Sequence, residues 1–141
     1  MTRKNIGVLG GGQLGRMLLQ AASNFDIPIH ILEKSKNCPA AALAASITEG
    51  DILDPEDVLR FGRKMDILTI EIEHVSAEAL ETLEQEGKTV FPRARVLKTI
   101  QDKGLQKQFY HDHQIPTSPF TLTESKADLK RHPEQIGRAH V

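Results

Sequence analysis

The 141-residue chain has one cysteine, no tryptophan and few other aromatic residues, five Phe and one Tyr. A lone Cys38 forms no intramolecular disulfide, which excludes a small disulfide-stapled scaffold. Net charge is also nearly absent: 18 Lys+Arg against 19 Asp+Glu leave −1 at pH 7. The charges are scattered rather than blocked, so neither a nucleic-acid duplex nor an anionic membrane finds an electrostatic footprint. No nucleic acid and no membrane are expected as partners, and any anionic ligand is small and bound locally. Long apolar runs are missing too. The opening Met1-Thr2-Arg3-Lys4-Asn5 leads into a short apolar stretch, neither a signal-peptide core nor a membrane span, so the expected location is cytoplasmic. What remains is ordinary: 39% hydrophobic residues and ten glycines make about 46% of the chain, inside the globular range.

Ile6-Gly7-Val8-Leu9 is a short apolar run ending in Gly10-Gly11-Gly12, after which Leu14, Met17, Leu18 and Ala21 recur at helical spacing. This reads as strand, glycine turn and helix. Ile27 to Leu32 is the next strand, closing on Glu33, and Ser46-Ile47-Thr48-Glu49 a third. Asp54-Pro55-Glu56-Asp57 carries a capping side chain, proline at the first helical position and acids facing the helix dipole. Val58, Leu59 and Phe61 supply that helix's buried side. Met65 to Glu73 is the most strand-like window; Ser76 caps a helix bearing Leu80 and Leu83, which stops at Gly87. Lys88 to Phe91 makes a last short strand.

Residues 1–92 therefore alternate strand and helix, the pattern of an α/β domain with a parallel sheet. From Arg93 the pattern turns helical, with segments on either side of Asp102-Lys103-Gly104, and Ser125 begins another helix-like stretch. The expected division is 1–92, 93–135 and a foreign tail, 136–141. Ile136-Gly137-Arg138-Ala139-His140-Val141 is what ATC GGA AGA GCA CAC GTC encodes, a common sequencing-library adapter, and Gln135 read as CAG completes the match. The expectation is that natural coding sequence ends at about Gln135.

Two places carry chemistry. Gly10-Gly11-Gly12-Gln13-Leu14-Gly15 satisfies G-x-G-x-x-G between a strand and a helix, where glycines let backbone approach a phosphate and the helix offers unpaired N–H groups. Glu33, about 20 residues on, is where a ribose-binding acid sits in dinucleotide folds, but no second strand–helix half follows Pro92 to complete one. Glu71-Ile72-Glu73-His74 closes the central strand. As strand residues, Glu71 and Glu73 share a face at the carboxyl edge, beside the glycine turn, where carboxylates accept from hydroxyls or amines. No His or Cys lies near His74 at metal-ligand spacing, so no metal site is assigned.

Ile6 to Leu18, Leu68-Thr69-Ile70-Glu71-Ile72-Glu73-His74, Gln106-Lys107 and Ile115-Pro116-Thr117 together resemble the N-terminal part of the 5-(carboxyamino)imidazole ribonucleotide synthases. These are ATP-grasp enzymes of purine biosynthesis, and the resemblance runs from about Lys4 to about Phe120. It implies a Rossmann-like pre-ATP-grasp domain followed by the start of an ATP-grasp domain. It also implies a reaction in which ATP phosphorylates bicarbonate and the exocyclic amine of aminoimidazole ribonucleotide captures the activated carbon, releasing ADP and phosphate.

By the same resemblance Gln13 and Leu14, with Glu71, bind the ribonucleotide, and Lys103 contacts ATP; Gly12 of the glycine turn and Glu73 of the paired carboxylates complete the expected substrate-binding set. Relatives often carry Arg at the Lys103 position, and Lys lacks the planar fork. Where this chain has Glu33, relatives commonly have Asp. The formate-dependent glycinamide ribonucleotide transformylases share the Glu-Ile-Glu block but tend to place Glu where this chain has Gln13. Family members continue well past this length, carrying the nucleotide clamp and the Mg2+ ligands. The resemblance thus implies an enzyme whose 141-residue fragment is inactive, with no catalytic residue of its own, and a homodimer when full length. A stand-alone nucleotide-binding module is the alternative.

Overall fold

The structure is a computed structural model, and it describes residues 4–123, Ser125 and Ala127. Five strands form one parallel sheet: β1 (Ile6–Leu9), β2 (Ile29–Glu33), β3 (Ser46–Glu49), β4 (Ile67–Ile70) and β5 (Thr89–Phe91), in the order β3-β2-β1-β4-β5. Strand order reverses at β1, so the turn after β1 opens at the topological switch point of the sheet. Helix α1 (Gln13–Ser23) connects β1 to β2, while α2 (Pro55–Gly62) and α3 (Ala77–Gln85) lead into and out of β4.

The expected helix signals act where the residues require. The Asp54 carboxylate accepts from the N–H groups of Glu56 and Asp57 at 2.9 and 3.0 Å, and Ser76 caps α3 through Ala79 N. Gly87, at φ +86°, follows α3 in the left-handed conformation that costs glycine little.

Register divides the core into two. Leu9 and Leu32 stand side by side with Leu68 and Val90 on one face, packed against Val58 and Phe61 of α2 and Leu80 and Leu83 of α3. Val8, Ile29 and Ile31 face the other way, against Leu19 of α1 and Ala40. The periodic apolar set of α1 is not the side that packs. Gly15 and Leu19 are buried, while Leu14, Met17 and Leu18 are 63, 55 and 39% exposed.

Two strands are shorter than their apolar windows. β2 starts at Ile29 rather than Ile27, because Pro28 has no N–H for the ladder and Ile27 N bonds back to Ala22 O. β4 ends at Ile70 rather than Glu73. Glu71 N makes the last bond to its neighbour, to Leu9 O at 2.9 Å, and beyond Leu9 that neighbour turns away through Gly10, at φ +104°. Ile72 and Glu73 then have no strand beside them.

The division of the chain also differs from the break read at Pro92. The first compact unit runs through Gln101 and the second begins at Asp102. Helix α4 (Ala94–Gln101) belongs to the first because Ala94 and Leu97 are fully buried in the α2–α3 core. Lys98 Nζ pairs with Glu81 at 2.6 Å, and Gln101 Nε2 donates to the carbonyls of Glu73 and Val75. The second unit holds α5 (Lys103–Asp112), capped by the Asp102 carboxylate at Gly104 N and Leu105 N. The helix-like stretch from Ser125 and the adapter-like 136–141 lie outside the described residues but for Ser125 and Ala127 themselves.

Candidate functional site

The site is built on the Gly10–Gly12 turn between β1 and α1. Gly10 N continues the ladder to Leu32 O at 3.0 Å, so the turn starts from a fixed strand end. Its positive φ then swings the chain into α1, whose Ncap, Gly12, has no side chain to cap the helix. Glu71 supplies the missing cap from β4's end, accepting from Gly15 N through Oε1 at 3.3 Å. A negative group at a helix N-terminus meets both the unpaired donors and the dipole.

Two of the glycines leave the space this carboxylate occupies. A Cβ at Gly10 would lie 2.5 Å from Glu71 Oε2, and one at Gly12 would lie 2.6 Å from Oε1. Gly11 is closed from the other side: a Cβ there would lie 2.8 Å from Cys38 Sγ and 3.0 Å from Ile31 Cγ2. Its N–H donates to Glu33 Oε2 at 2.8 Å, and Lys34 N donates to Glu33 Oε1 at 2.8 Å. Ala40 N bonds Gly11 O, tying in the loop after β2.

Gly12, Gln13, Leu14 and Glu71 are therefore brought together, with Gln13 and Leu14 exposed at the first turn of α1. By position their N–H groups have no intrahelical acceptor. Glu73 is not part of this cluster. The shared strand face expected for Glu71 and Glu73 does not exist, because β4 stops at Ile70; Glu73 is exposed, and its carbonyl, rather than its carboxylate, takes the hydrogen bond from Gln101. His74 is an exposed loop residue.

Glu33, at the end of β2, also holds the glycine turn. Its partner follows only from the fold: the register Leu9↔Leu32 sets Glu33 beside the start of the glycine turn. Around both carboxylates, no Lys or Arg among the described residues is ion-paired with either one: Lys34 is taken by Asp51 at 3.0 Å and Lys36 lies near Glu49. Asp51 is held below the ordinary carboxyl range by the Leu53 N–H first and Lys34 next. The turn thus offers carboxylate acceptors and a few helix N–H donors to a small ligand.

In the second unit Lys103 stands at the first position of α5, with Nζ 3.5 Å from Gln106 Oε1. Lys107, four residues on, donates to Thr117 Oγ1 at 2.6 Å and Ser118 Oγ at 3.0 Å. No group of three His, Cys, Asp or Glu among the described residues is arranged to hold a metal ion. No described helix is long and apolar enough to cross a membrane.

A parallel sheet with a glycine turn and an acid at its switch point defines a Rossmann-like α/β domain. Residues 3–101 match the ribonucleotide synthetase pre-ATP-grasp domain, and the chain belongs to that family. It is 36% identical over 124 residues to the N5-carboxyaminoimidazole ribonucleotide synthase of Brucella melitensis, a match covering 88% of this chain and 34% of that protein. It is 42% identical over 125 residues to a chloroplastic phosphoribosylaminoimidazole carboxylase of Vigna aconitifolia, covering 89% of this chain and 22% of that one. Among solved structures, the N5-carboxyaminoimidazole synthase of Aspergillus clavatus in complex with ADP and 5-aminoimidazole ribonucleotide superposes with a TM-score of 0.83 at 34% identity. That match covers 95% of this chain and 36% of the other. The chain therefore spans about a third or less of the length of these relatives.

Proposed function

We propose that the chain is the N-terminal part of an ATP-dependent 5-(carboxyamino)imidazole ribonucleotide synthase of purine biosynthesis, a carbon–nitrogen ligase of the cytoplasm. The observation that carries this reading is Glu71 seated in the notch of Gly10 and Gly12 at the start of α1, inside the family's matched region. In this reading Glu71 accepts hydrogen bonds from the ribonucleotide while the first-turn N–H groups of Gly12, Gln13 and Leu14 donate to it. The Glu73 carbonyl, bonded by Gln101, fixes the loop after β4, and its exposed carboxylate is a second acceptor offered to the ribonucleotide. ATP phosphorylates bicarbonate, and the ribonucleotide's exocyclic amine captures the activated carbon.

The sequence from the second unit's start at Asp102 onward belongs to the beginning of the ATP-grasp domain, read from the sequence as 93–135, with Lys103 at the nucleotide. The remaining nucleotide contacts and the Mg2+ ligands belong to sequence beyond this chain. Phosphoryl transfer depends on positioning and on neutralising developing charge, so the 141-residue chain does not turn over. The full-length protein is a homodimer, and the uncharged apolar side of α1 formed by Leu14, Met17 and Leu18 suits such a contact.

The test is ADP release by the full-length parent. It should require both bicarbonate and aminoimidazole ribonucleotide, and Glu71→Gln should raise KM for the ribonucleotide at least about tenfold, the loss of one charged hydrogen bond. ADP release that ignores both co-substrates overturns the reading. Light scattering on the same protein checks the dimer.

A further inference from the structure

We infer that Glu33 is a positioning and specificity-determining residue: its carboxylate holds the glycine turn from within and bars a phosphate from it, so that the turn receives the hydroxyl or amine end of its ligand. The inference rests on the proposed reading of the turn as a ribonucleotide site and says which end of that ligand the turn can accept.

The motif alone points the other way. A glycine turn running into a helix N-terminus is a ready anion site, because backbone N–H groups converge where the helix dipole is positive. Here the protein's own carboxylates fill that role. Glu33 Oε2 takes the Gly11 N–H at 2.8 Å, Glu33 Oε1 takes the Lys34 N–H at 2.8 Å, and Glu71 Oε1 takes the Gly15 N–H at 3.3 Å. Donors on both flanks of the turn are thus already satisfied. The donors that remain, on Gly12, Gln13 and Leu14, lie between two carboxylates.

Charge decides the consequence. Among the described residues no Lys or Arg is ion-paired with Glu33 or Glu71, and the nearby lysines are engaged by Asp51 and Glu49. The Arg16 guanidinium keeps its charge but is directed to Pro39 O in the loop after β2. A phosphate placed at the turn would face two like charges with no cation between, which raises its energy steeply at such short range. A hydroxyl or amine gains at the same place, since each carboxylate retains acceptor capacity beyond the bonds it makes to backbone. The phosphate of a ribonucleotide bound here is then held by residues outside the turn.

Glu33 differs from Glu71 in how it acts. Glu71 Oε2 lines the notch itself, within 2.5 Å of where a Gly10 Cβ would stand, whereas both oxygens of Glu33 are bonded to backbone N–H groups. Glu33 therefore works through the turn it holds and through its charge. Its substitution by Gln removes the charge while the amide oxygen can still accept from Gly11 N–H; the bond from Lys34 N–H is given up, because the amide nitrogen only donates.

The experiment is an NMR titration of the 141-residue chain with inorganic phosphate at constant ionic strength, following the amide signals of Gly11, Gly12, Gln13 and Leu14. Wild type should show no saturable shift at these amides. Glu33→Gln should show one, with phosphate affinity at least about tenfold above wild type, and Glu33→Asp, which retains the charge, should behave as wild type. Glu33→Ser removes the charge with a side chain too short to strain the turn and should agree with Glu33→Gln, so the inference stays testable if the Gln variant folds poorly. Saturable phosphate binding at the wild-type turn overturns it, and so does the absence of any gain in both uncharged variants, the result a purely structural role would give. Because the probe is inorganic phosphate, either failure leaves the ribonucleotide reading to be judged separately by the ADP-release assay.

Discussion

The two faces of the sheet differ in how they are covered. Among the described residues, one buries fourteen apolar side chains, drawn from four strands, α2, α3, α4 and the segments between; the other buries five, under α1 and the loop after β2. On the first face even the glycines are used for packing: a Cβ at Gly7 would lie 2.7 Å from Met65 Cγ and 2.8 Å from Phe61 Cε1. On the second, Phe91 at the β5 edge is 58% exposed, α1 turns leucine and methionine outward, and the glycines make room for a carboxylate. Parallel sheets are usually covered on both faces. The difference teaches that stability is concentrated on one side, which leaves the other free to keep polar groups and open surface beside the glycine turn.

The comparison breaks most sharply at Phe61, fully packed between α2 and Gly7. Phe61→Ala should cost about 3–5 kcal/mol, a large share of a typical domain's stability, seen as a lower denaturant midpoint in urea unfolding. Gly62→Ala is next. The added methyl would collide with Leu83 Cδ1 and lie 3.1 Å from its Cδ2. Overpacking of about 1–3 kcal/mol, less the up to about 1 that alanine gains in a helix, leaves a net loss near 1 kcal/mol by the same measurement.

A smaller effect is expected in acid. The Asp57 carboxyl is held below its ordinary value of 3.8, first by the Asp51 N–H and then by Arg60, and Asp51 below the same value by the Leu53 N–H and then Lys34. Depressed carboxyls bind protons more readily in the unfolded chain, so the stability they contribute is complete above about pH 4 and lost as pH falls through their folded values. Asp57→Asn should flatten that acid slope in melting temperature recorded against pH. Smallest of all is Met17→Gln on the exposed side of α1. It should move stability by no more than about 0.5 kcal/mol, and a loss as large as that of Phe61→Ala would erase the distinction between the faces.

Much of this arrangement was legible beforehand, for local reasons. The five strands, the Asp54 and Ser76 caps and the stop at Gly87 are set by side chains acting on their own or neighbouring backbone, so residue type and spacing were enough. The ends of β2 and β4 were not, because an apolar window tells where a strand can run and its neighbour tells where it must stop. The boundary after β5 moved for a related reason: helical periodicity identified α4 as a helix, but only the burial of Ala94 and Leu97 against α3 assigned it to the first unit. Along α1, periodicity marked a helix without telling which side packs.

The candidate site divides in the same way. Sequence by itself determined that a glycine turn joins a strand to a helix and that acids end the neighbouring strands, since these follow from chain order and from the conformations glycine and acids favour. Tertiary structure decided that Glu71 enters the notch and Glu73 does not, because the ladder ends one residue past Ile70 once Gly10 turns β1 away. It also decided that Glu33 reaches Gly11, since only the pairing of β1 with β2 brings residues 22 apart in the chain to a 2.8 Å hydrogen bond. A motif names the donors of a turn; which acceptors already occupy them depends on strands that meet it only in the folded sheet.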